Sequence, residues 1–557
     1  MTDRASRGRR DDPRAGHVAV EMWGRCGRNS VSAARPASSG GHSFREGRRR
    51  GIMACSCLAL FGYTVPMTEK LDRIRTGSAP RVLDLFCGCG GLSLGFQRAG
   101  FELLGGVEKE AQASWTYAAN LHRTESEERR KLLGLSRDIC SVQPAELLRE
   151  LGHPVSAVDV IVGGPPCQAY ARVGRAKLRE IHDHPDAFRR DARGQLYVQY
   201  LRYVRELNPL ALILENVPDI LNYGGRNLAS EIAHHLQELG YQVNLGLLNA
   251  ASYGVPQNRR RVYLIACRRE LDWLPGFPAP THRIERLPSG YREFEALVAS
   301  LRRSGSPFCG PDVKISEVAL KALPQAVTVQ EAIGDLPRLA SQRAAPLLIG
   351  RRRFDQSLPY EGPPLSTFAR EMREGWPGLG GAASVRDQVT RQLPRDYPIF
   401  ARMKPGDDYP RAHAIAEEIF QEEVGRRRLA GAQVAEGGEE WDSLRGKIVP
   451  PYDPRKFPNK WGKLEGEAPA RTLLAHLGHD GYTHIHHDSK QARTITVREA
   501  ARLQSFPDGF VFYEAMNPAF RMIGNAVPPL MSFQLARHLL AQLQEAARDE
   551  RSYALAS

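Results

Sequence analysis

The chain has 557 residues, 42% of them hydrophobic and 25% charged, with a formal net charge of +14 and a pI near 9.4. This composition excludes a wholly disordered chain, leaves room for two or three domains and favours a polyanionic partner. Nine scattered cysteines exclude a disulfide framework, and the apolar stretch Ile52–Val65 is too short to cross a membrane.

Residues 1–66 hold twelve Arg against five acids, half the excess charge of the whole chain. Residues 1–78 show no periodicity and are expected to form a disordered basic segment, with Met67 an alternative start. From Arg81 the pattern changes. Short apolar runs at Val82–Phe86, Leu103–Val107, Val158–Val162, Ala211–Glu215, Tyr241–Leu248 and Val262–Ala266 read as buried strands. Helical periods lie between them at Ala111–Asn120, Leu196–Leu207 and Asn227–Leu239. This alternation predicts an α/β protein with a doubly wound, mostly parallel, Rossmann-like sheet. Beyond Arg269 it breaks up, and residues 273–460, rich in Pro, Gly and Arg, read as an inserted smaller domain. Helix returns at Val497–Gln504 and Leu530–Ala547, so residues 79–272 and 461–557 are expected to make one domain split by the insertion.

Two strand ends carry candidate chemistry. Asp84-Leu85-Phe86-Cys87-Gly88-Cys89-Gly90-Gly91 closes the first strand with a glycine turn that lets backbone approach a cofactor. Glu108 ends the next strand at the distance where an acid can grip ribose hydroxyls. Dinucleotide and S-adenosylmethionine sites share this pattern; Ser93 in place of the third glycine tilts against a dinucleotide. Gly164-Pro165-Pro166-Cys167-Gln168-Ala169 follows the third strand, its prolines stiffening the turn where ligands bind in open α/β sheets. Cys167 there is either a nucleophile or an inert buried thiol.

Taken together these residues resemble the cytosine-5 DNA methyltransferases. Asp84–Gly91 is similar to that family's first cofactor motif and Gly163–Gln168 to its Pro-Cys loop. Glu215-Asn216-Val217, Gln257-Asn258-Arg259-Arg260-Arg261, Arg493–Asp508 and Gly524-Asn525-Ala526-Val527-Pro528-Pro529 resemble four further motifs, in the family's order. The resemblance implies a methyltransferase fold, S-adenosylmethionine as cofactor and a cytosine flipped out of duplex DNA. It makes Cys167 the nucleophile toward carbon 6, with Glu215 at ring nitrogen 3 and the exocyclic amine. Arg261 takes the ring carbonyl and Arg259 orders the pocket. The cofactor site it implies has Phe86 against the adenine and Gly88, Gly90 and Gly91 allowing close approach. Glu108 takes the ribose, Asp138 and Ile139 the adenine edge, and Asn525 and Val527 close the site. Residues 273–460 become the target-recognition domain.

Two positions depart from the family pattern: Ala171 stands where a serine is usual, and Lys109 where some members have an aromatic residue. His476, His479, His484, His486 and His487 are expected on a polar loop facing DNA, with no metal. Tyr409, Tyr452, Trp461 and Tyr482 fit either DNA contact or the core of the insertion, the core being preferred for most of them. The expected setting is cytoplasmic and nucleoid-associated, without membrane contact, as a monomer in a restriction–modification system with a separate cognate endonuclease, or as a solitary enzyme. Rival readings are a transfer-RNA cytosine-5 methyltransferase, a catalytically silent DNA-binding regulator on the same fold, and a nucleotide-dependent oxidoreductase.

Overall fold

A computed structural model describes residues 67–166, 196–222, 227–288, 317–339 and 356–549. Helix α1 (Met67–Arg75) leads into β1 (Arg81–Leu85), α2 (Gly91–Ala99), β2 (Glu102–Val107) and α3 (Ala111–Leu121). Two short helices, α4 (Glu127–Leu133) and α5 (Pro144–Glu150), precede β3 (Val160–Gly163), and α6 (Leu196–Leu207) precedes β4 (Ala211–Asn216). Then come α7 (Leu228–Glu238), β5 (Tyr241–Asn249) and β6 (Arg260–Arg268).

The six strands form one sheet in the order β2-β1-β3-β4-β6-β5. The first four run parallel, and β6 is antiparallel to both β4 and β5. The central strands are buried along their length, because helices cover both faces and an apolar run satisfies both at once. Chain order reverses between β1 and β3. Their carboxyl ends, Leu85 and Gly163, pair in register and bound the crevice where such sheets bind ligands.

Residues 67–75, within the segment expected to be disordered, form a helix, while residues 1–66 of that segment lie outside the described residues. Helix α1 docks under the sheet, with Leu71 and Ile74 buried. Buried Lys70 donates to the carbonyls of Val158, Leu207 and Asn208 at 2.7, 3.1 and 2.9 Å. Arg73 pairs with the buried carboxylate of Asp159 at 2.5 Å.

Past β6 lie α8 (Glu317–Ala322), α9 (Val329–Ile333), α10 (Thr367–Glu374), α11 (Tyr397–Arg402), α12 (Tyr409–Leu429) and α13 (Glu439–Ile448). The last described helices are α14 (Val497–Leu503), α15 (Met516–Asn525) and α16 (Pro529–Ala546). The hydrophobic interior does not divide at residues 273 and 460. Val329, Ile333, Phe368, Met372, Trp376 and Val385 belong to the main core. Arg98 of α2 lies over the ring of Trp376 at 4.4 Å and pairs with Glu371 at 2.7 Å. A second core gathers Ile399, Phe400, Tyr409, Ile415, Phe420 and Val424 with Trp461 and Ile485. Trp461 and Tyr482 stack with centroids 4.7 Å apart and planes 6° apart, so Tyr409, Trp461 and Tyr482 pack this core. The described part of the insertion is thus divided between two cores, roughly at residue 390.

Helix α16 packs on α2, the helix that follows the first strand. A side chain at Gly95 would collide with the backbone nitrogen of Phe533 at 2.4 Å, and the Ser532 hydroxyl donates to the Leu92 carbonyl.

Candidate active site

The first half of the site is built on the ends of β1 and β2. Phe86 leaves β1 in a left-handed conformation, φ 62°, and stays partly exposed while packing on the core. Gly90, φ 93°, caps α2. A Cβ on Gly91 would meet the Val527 carbonyl at 2.3 Å, so the turn and the segment after α15 touch across nearly the whole chain. Beneath the turn, Asp84 is buried and accepts from the Ser93 hydroxyl at 2.6 Å. Burial pushes its carboxyl up to about 7.

Glu108 follows β2 and accepts from the backbone N–H of Gly88 at 3.0 Å and of Glu110 at 2.8 Å. Burial raises its pKa against those bonds. The Arg137 N–H donates to the Glu108 carbonyl at 2.7 Å, which brings Asp138 and buried Ile139 alongside. Asp138 accepts from Lys109 at 2.7 Å, and that bond lowers its pKa. Lys109, at the departing position, therefore holds the second acid of the group.

The other half lies across the switch point. Strand β3 ends at Gly163, and Gly164, Pro165 and Pro166 follow; Cys167, with Gln168 to Ala171, falls outside the described residues. Asn216 at the end of β4 donates to the Pro165 carbonyl at 3.1 Å and fixes the start of that loop. The Glu215 carboxylate pairs with the Arg261 guanidinium at 3.0 Å, both side chains about nine-tenths buried. A Cβ on Gly164 would stand 3.2 Å from Glu215 Oε2, so glycine there leaves that oxygen room. Arg261 is the second residue of β6, whose antiparallel pairing with β4 brings it near Glu215.

Arg259 is on the same strand side but points elsewhere. It donates to the carbonyls of Leu473 (2.8 Å), Gly524 (3.1 Å) and Ala526 (3.1 Å). It ties the segment around Asn525 and Val527 to the start of β6. Asn525 is exposed at the end of α15, while Val527 is buried. Gln257 adds to the same clamp, accepting from the Leu473 N–H at 2.9 Å and donating to the Leu503 carbonyl at 3.1 Å.

The structure adds partners that no local pattern announces. Arg493, Arg498 and Arg502 are fully buried. Arg493 pairs with Glu499 at 2.7 Å, Arg498 with Asp387 at 2.6 Å, and Arg502 with Asp508 at 2.6 Å and Asp335 at 3.0 Å. Asp335 and Asp387 come from the insertion, so these pairs bolt its first part to α14. The histidine run also differs from expectation. His484 and His486 are buried, and burial lowers both pKa values, that of His484 to about 4. Only His476 and His479 are exposed, around a short turn packed on α15.

A glycine turn with its acid on one side of a switch point, facing a proline loop and a Glu–Arg pair on the other, is the arrangement of methyltransferases that act on nucleic-acid bases. The profile of the family described as C-5 cytosine-specific DNA methylase matches residues 80–335 and 409–541, and the chain belongs to that family. It is 36% identical to M.OihORF3336P of Oceanobacillus iheyensis, over 86% of this chain and 98% of that protein. To the type II methyltransferase M.AgeI of Thalassovita gelatinovora it is 31% identical, over 82% and 98%. Its fold resembles the crystal structure of a prophage-encoded E. coli protein described as a DNA modification methyltransferase. That likeness has a TM-score of 0.52 at 21% identity and covers 84% of this chain and 99% of the other. The chain is a DNA (cytosine-5-)-methyltransferase of the type II kind; its family uses S-adenosylmethionine and acts on duplex DNA.

Proposed function

We propose that the enzyme methylates carbon 5 of a cytosine flipped out of a specific duplex sequence, through a transient bond from Cys167 to carbon 6. The observation that carries this reading is the buried Glu215–Arg261 pair beside Gly164, three residues before Cys167. Carbon 5 of cytosine is a weak nucleophile until a thiolate adds at carbon 6, and a thiolate can leave again afterwards. Charge then builds on the ring. Glu215, with Oε2 toward Gly164, faces ring nitrogen 3 and the exocyclic amine, while Arg261 takes the carbonyl oxygen. Their mutual contact holds both side chains in place before the base arrives. A base inside the stack cannot reach such a pocket, so the cytosine must leave the helix.

When bound, S-adenosylmethionine supplies the electrophilic methyl group. The residues present fit it. Glu108 keeps a lone-pair direction on each oxygen beyond its two backbone bonds, enough for two ribose hydroxyls. Partly exposed Phe86 offers a face to adenine, and Gly88, Gly90 and Gly91 keep side chains out of the turn. Asp138 and Ile139 would read the adenine edge, and Asn525 and Val527 would close the site, held there by Arg259. Target recognition falls to residues within 273–460, above all those of the second core.

Cys167→Ser tests the mechanism, since it replaces a thiol of pKa roughly 8.5 with a hydroxyl hardly ionised at neutral pH. Methyl transfer should fall to background while S-adenosylmethionine still binds. Duplex DNA carrying 5-fluorocytosine should trap the unaltered enzyme, because fluorine cannot leave as a proton does. Peptide mapping should find the adduct on Cys167. An adduct on Cys87 or Cys89, or full activity in the serine variant, would overturn the reading.

A further inference from the structure

The loop between α13 and Trp461 combines features that its neighbours lack. Tyr452 and Phe457 are 45% and 52% exposed, and their rings meet edge-to-face with centroids 6.1 Å apart. Lys460 Nζ lies 3.9 Å over the Tyr452 ring. Arg455, its side chain 92% exposed, and Lys456 project beside them. The one acid in the stretch, Asp453, accepts from the Arg455 N–H at 2.9 Å and pairs at 3.5 Å with the Arg455 guanidinium, leaving a net excess of two cations.

The loop is stiff. Pro450, Pro451, Pro454 and Pro458 restrict its backbone. Buried Tyr409 holds it twice, its hydroxyl donating to the Tyr452 carbonyl at 2.8 Å and its N–H to the Pro458 carbonyl at 3.4 Å. The Asp453 carbonyl accepts from the N–H groups of Lys456 and Phe457, both at 3.1 Å. From Lys460 the chain runs through the second core at Trp461 to Ala470, which bonds with the segment at Gln257, and to Leu473, which Arg259 holds. The loop is therefore mounted on the same strand of chain that completes the active site.

We infer that Tyr452–Lys460 is a preformed DNA-contact loop, with Arg455, Lys456 and Lys460 on phosphates and the Tyr452–Phe457 pair against the apolar wall of a groove. This rests on the DNA methyltransferase reading above. Three cations against one occupied carboxylate suit a polyanion. A second copy docked through a two-fold contact would bring the same cations together, which like charges oppose. A loop whose backbone is already fixed loses little backbone freedom when it binds.

The test uses the full chain and a duplex of about 30 base pairs containing the site mapped by bisulfite sequencing, with affinity measured across a salt series. Arg455→Ala with Lys456→Ala should weaken binding and make the slope of log affinity against log salt shallower by about 2. Tyr452→Ala with Phe457→Ala should weaken binding about tenfold and leave the slope unchanged, as loss of an uncharged contact does. Both variants should bind S-adenosylmethionine as the unaltered enzyme does, which separates a lost contact from a lost fold. Unchanged affinity and slope in both variants would overturn the inference. So would a dimer of the unaltered chain that the aromatic pair of changes dissolves without altering DNA affinity. Failure of the unaltered chain to bind or methylate the duplex would instead bring down the enzyme reading beneath it.

Discussion

Asp84 is a carboxyl group in the floor of the glycine turn, and its surroundings decide how stability varies with pH. Burial raises its folded pKa to about 7 from an ordinary value of 3.8. The folded chain therefore holds a proton between about pH 4 and pH 7 that the unfolded chain has released. Stability from this group is greatest below that window and falls as pH rises through it. Relative to the wild type, Asp84→Asn should gain stability in urea unfolding between pH 5 and pH 8, by on the order of a few kcal/mol. A difference that stays constant from pH 5 to 8 would refute this. The sequence marked Asp84 only as the first letter of a motif; its protonation depends on Ser93 and on burial, which no spacing reveals. Glu215 and Arg261 were legible because each belongs to a compact motif on a strand end. The bond between them comes from the antiparallel register of β4 and β6.

Among the elements, α1 has a role its sequence hides. Met67-Thr68-Glu69-Lys70-Leu71-Asp72-Arg73-Ile74-Arg75 reads as a polar segment, yet Lys70 is buried because three carbonyls at the base of the sheet receive its ammonium. Burial lowers its pKa to about 8. Burying Leu71 and Ile74 contributes roughly 1.5–3 kcal/mol each. Deleting residues 1–66 should therefore leave thermal unfolding and methyl transfer unchanged. Deleting residues 1–76 should lower the unfolding midpoint by several degrees, since it uncovers Asp159 and the three carbonyls. Equal midpoints for the two truncations would show that α1 contributes nothing. The six strands, by contrast, were legible to within two residues at every end; the central ones are buried on both faces and so are written as apolar runs.

At the scale of the whole molecule, the insertion serves two bodies. Asp335 and Asp387 neutralise Arg502 and Arg498 in the main core, and removing one partner of a buried pair costs about 3–5 kcal/mol. Exchanging residues 393–460 for those of a relative should yield a folded enzyme whose methylated sequence, read by bisulfite sequencing, follows the insert. Exchanging all of 273–460 for a segment without acids at the two positions should give insoluble or inactive protein. If the smaller exchange folds yet marks the original sequence, recognition resides elsewhere. The sequence could not locate this seam. The pairs that define it join residues more than a hundred positions apart, and composition alone made residues 273–460 look uniform.

The contact of α16 with α2 also has a consequence for how the enzyme comes into being. The hydroxyl of Ser532 and the carbonyl of Leu92 that accepts from it are separated by 440 residues, and Val527 reaches Gly91 from equally far downstream. During synthesis at about 5–20 residues per second, the first strand and its glycine turn wait on the order of half a minute or more for their closing wall. A nascent chain that has not yet reached Val527 and Ser532 lacks that wall, whatever the state of its sheet. The glycine turn thus gains its wall late, in one event, once α16 has been made and docks on α2.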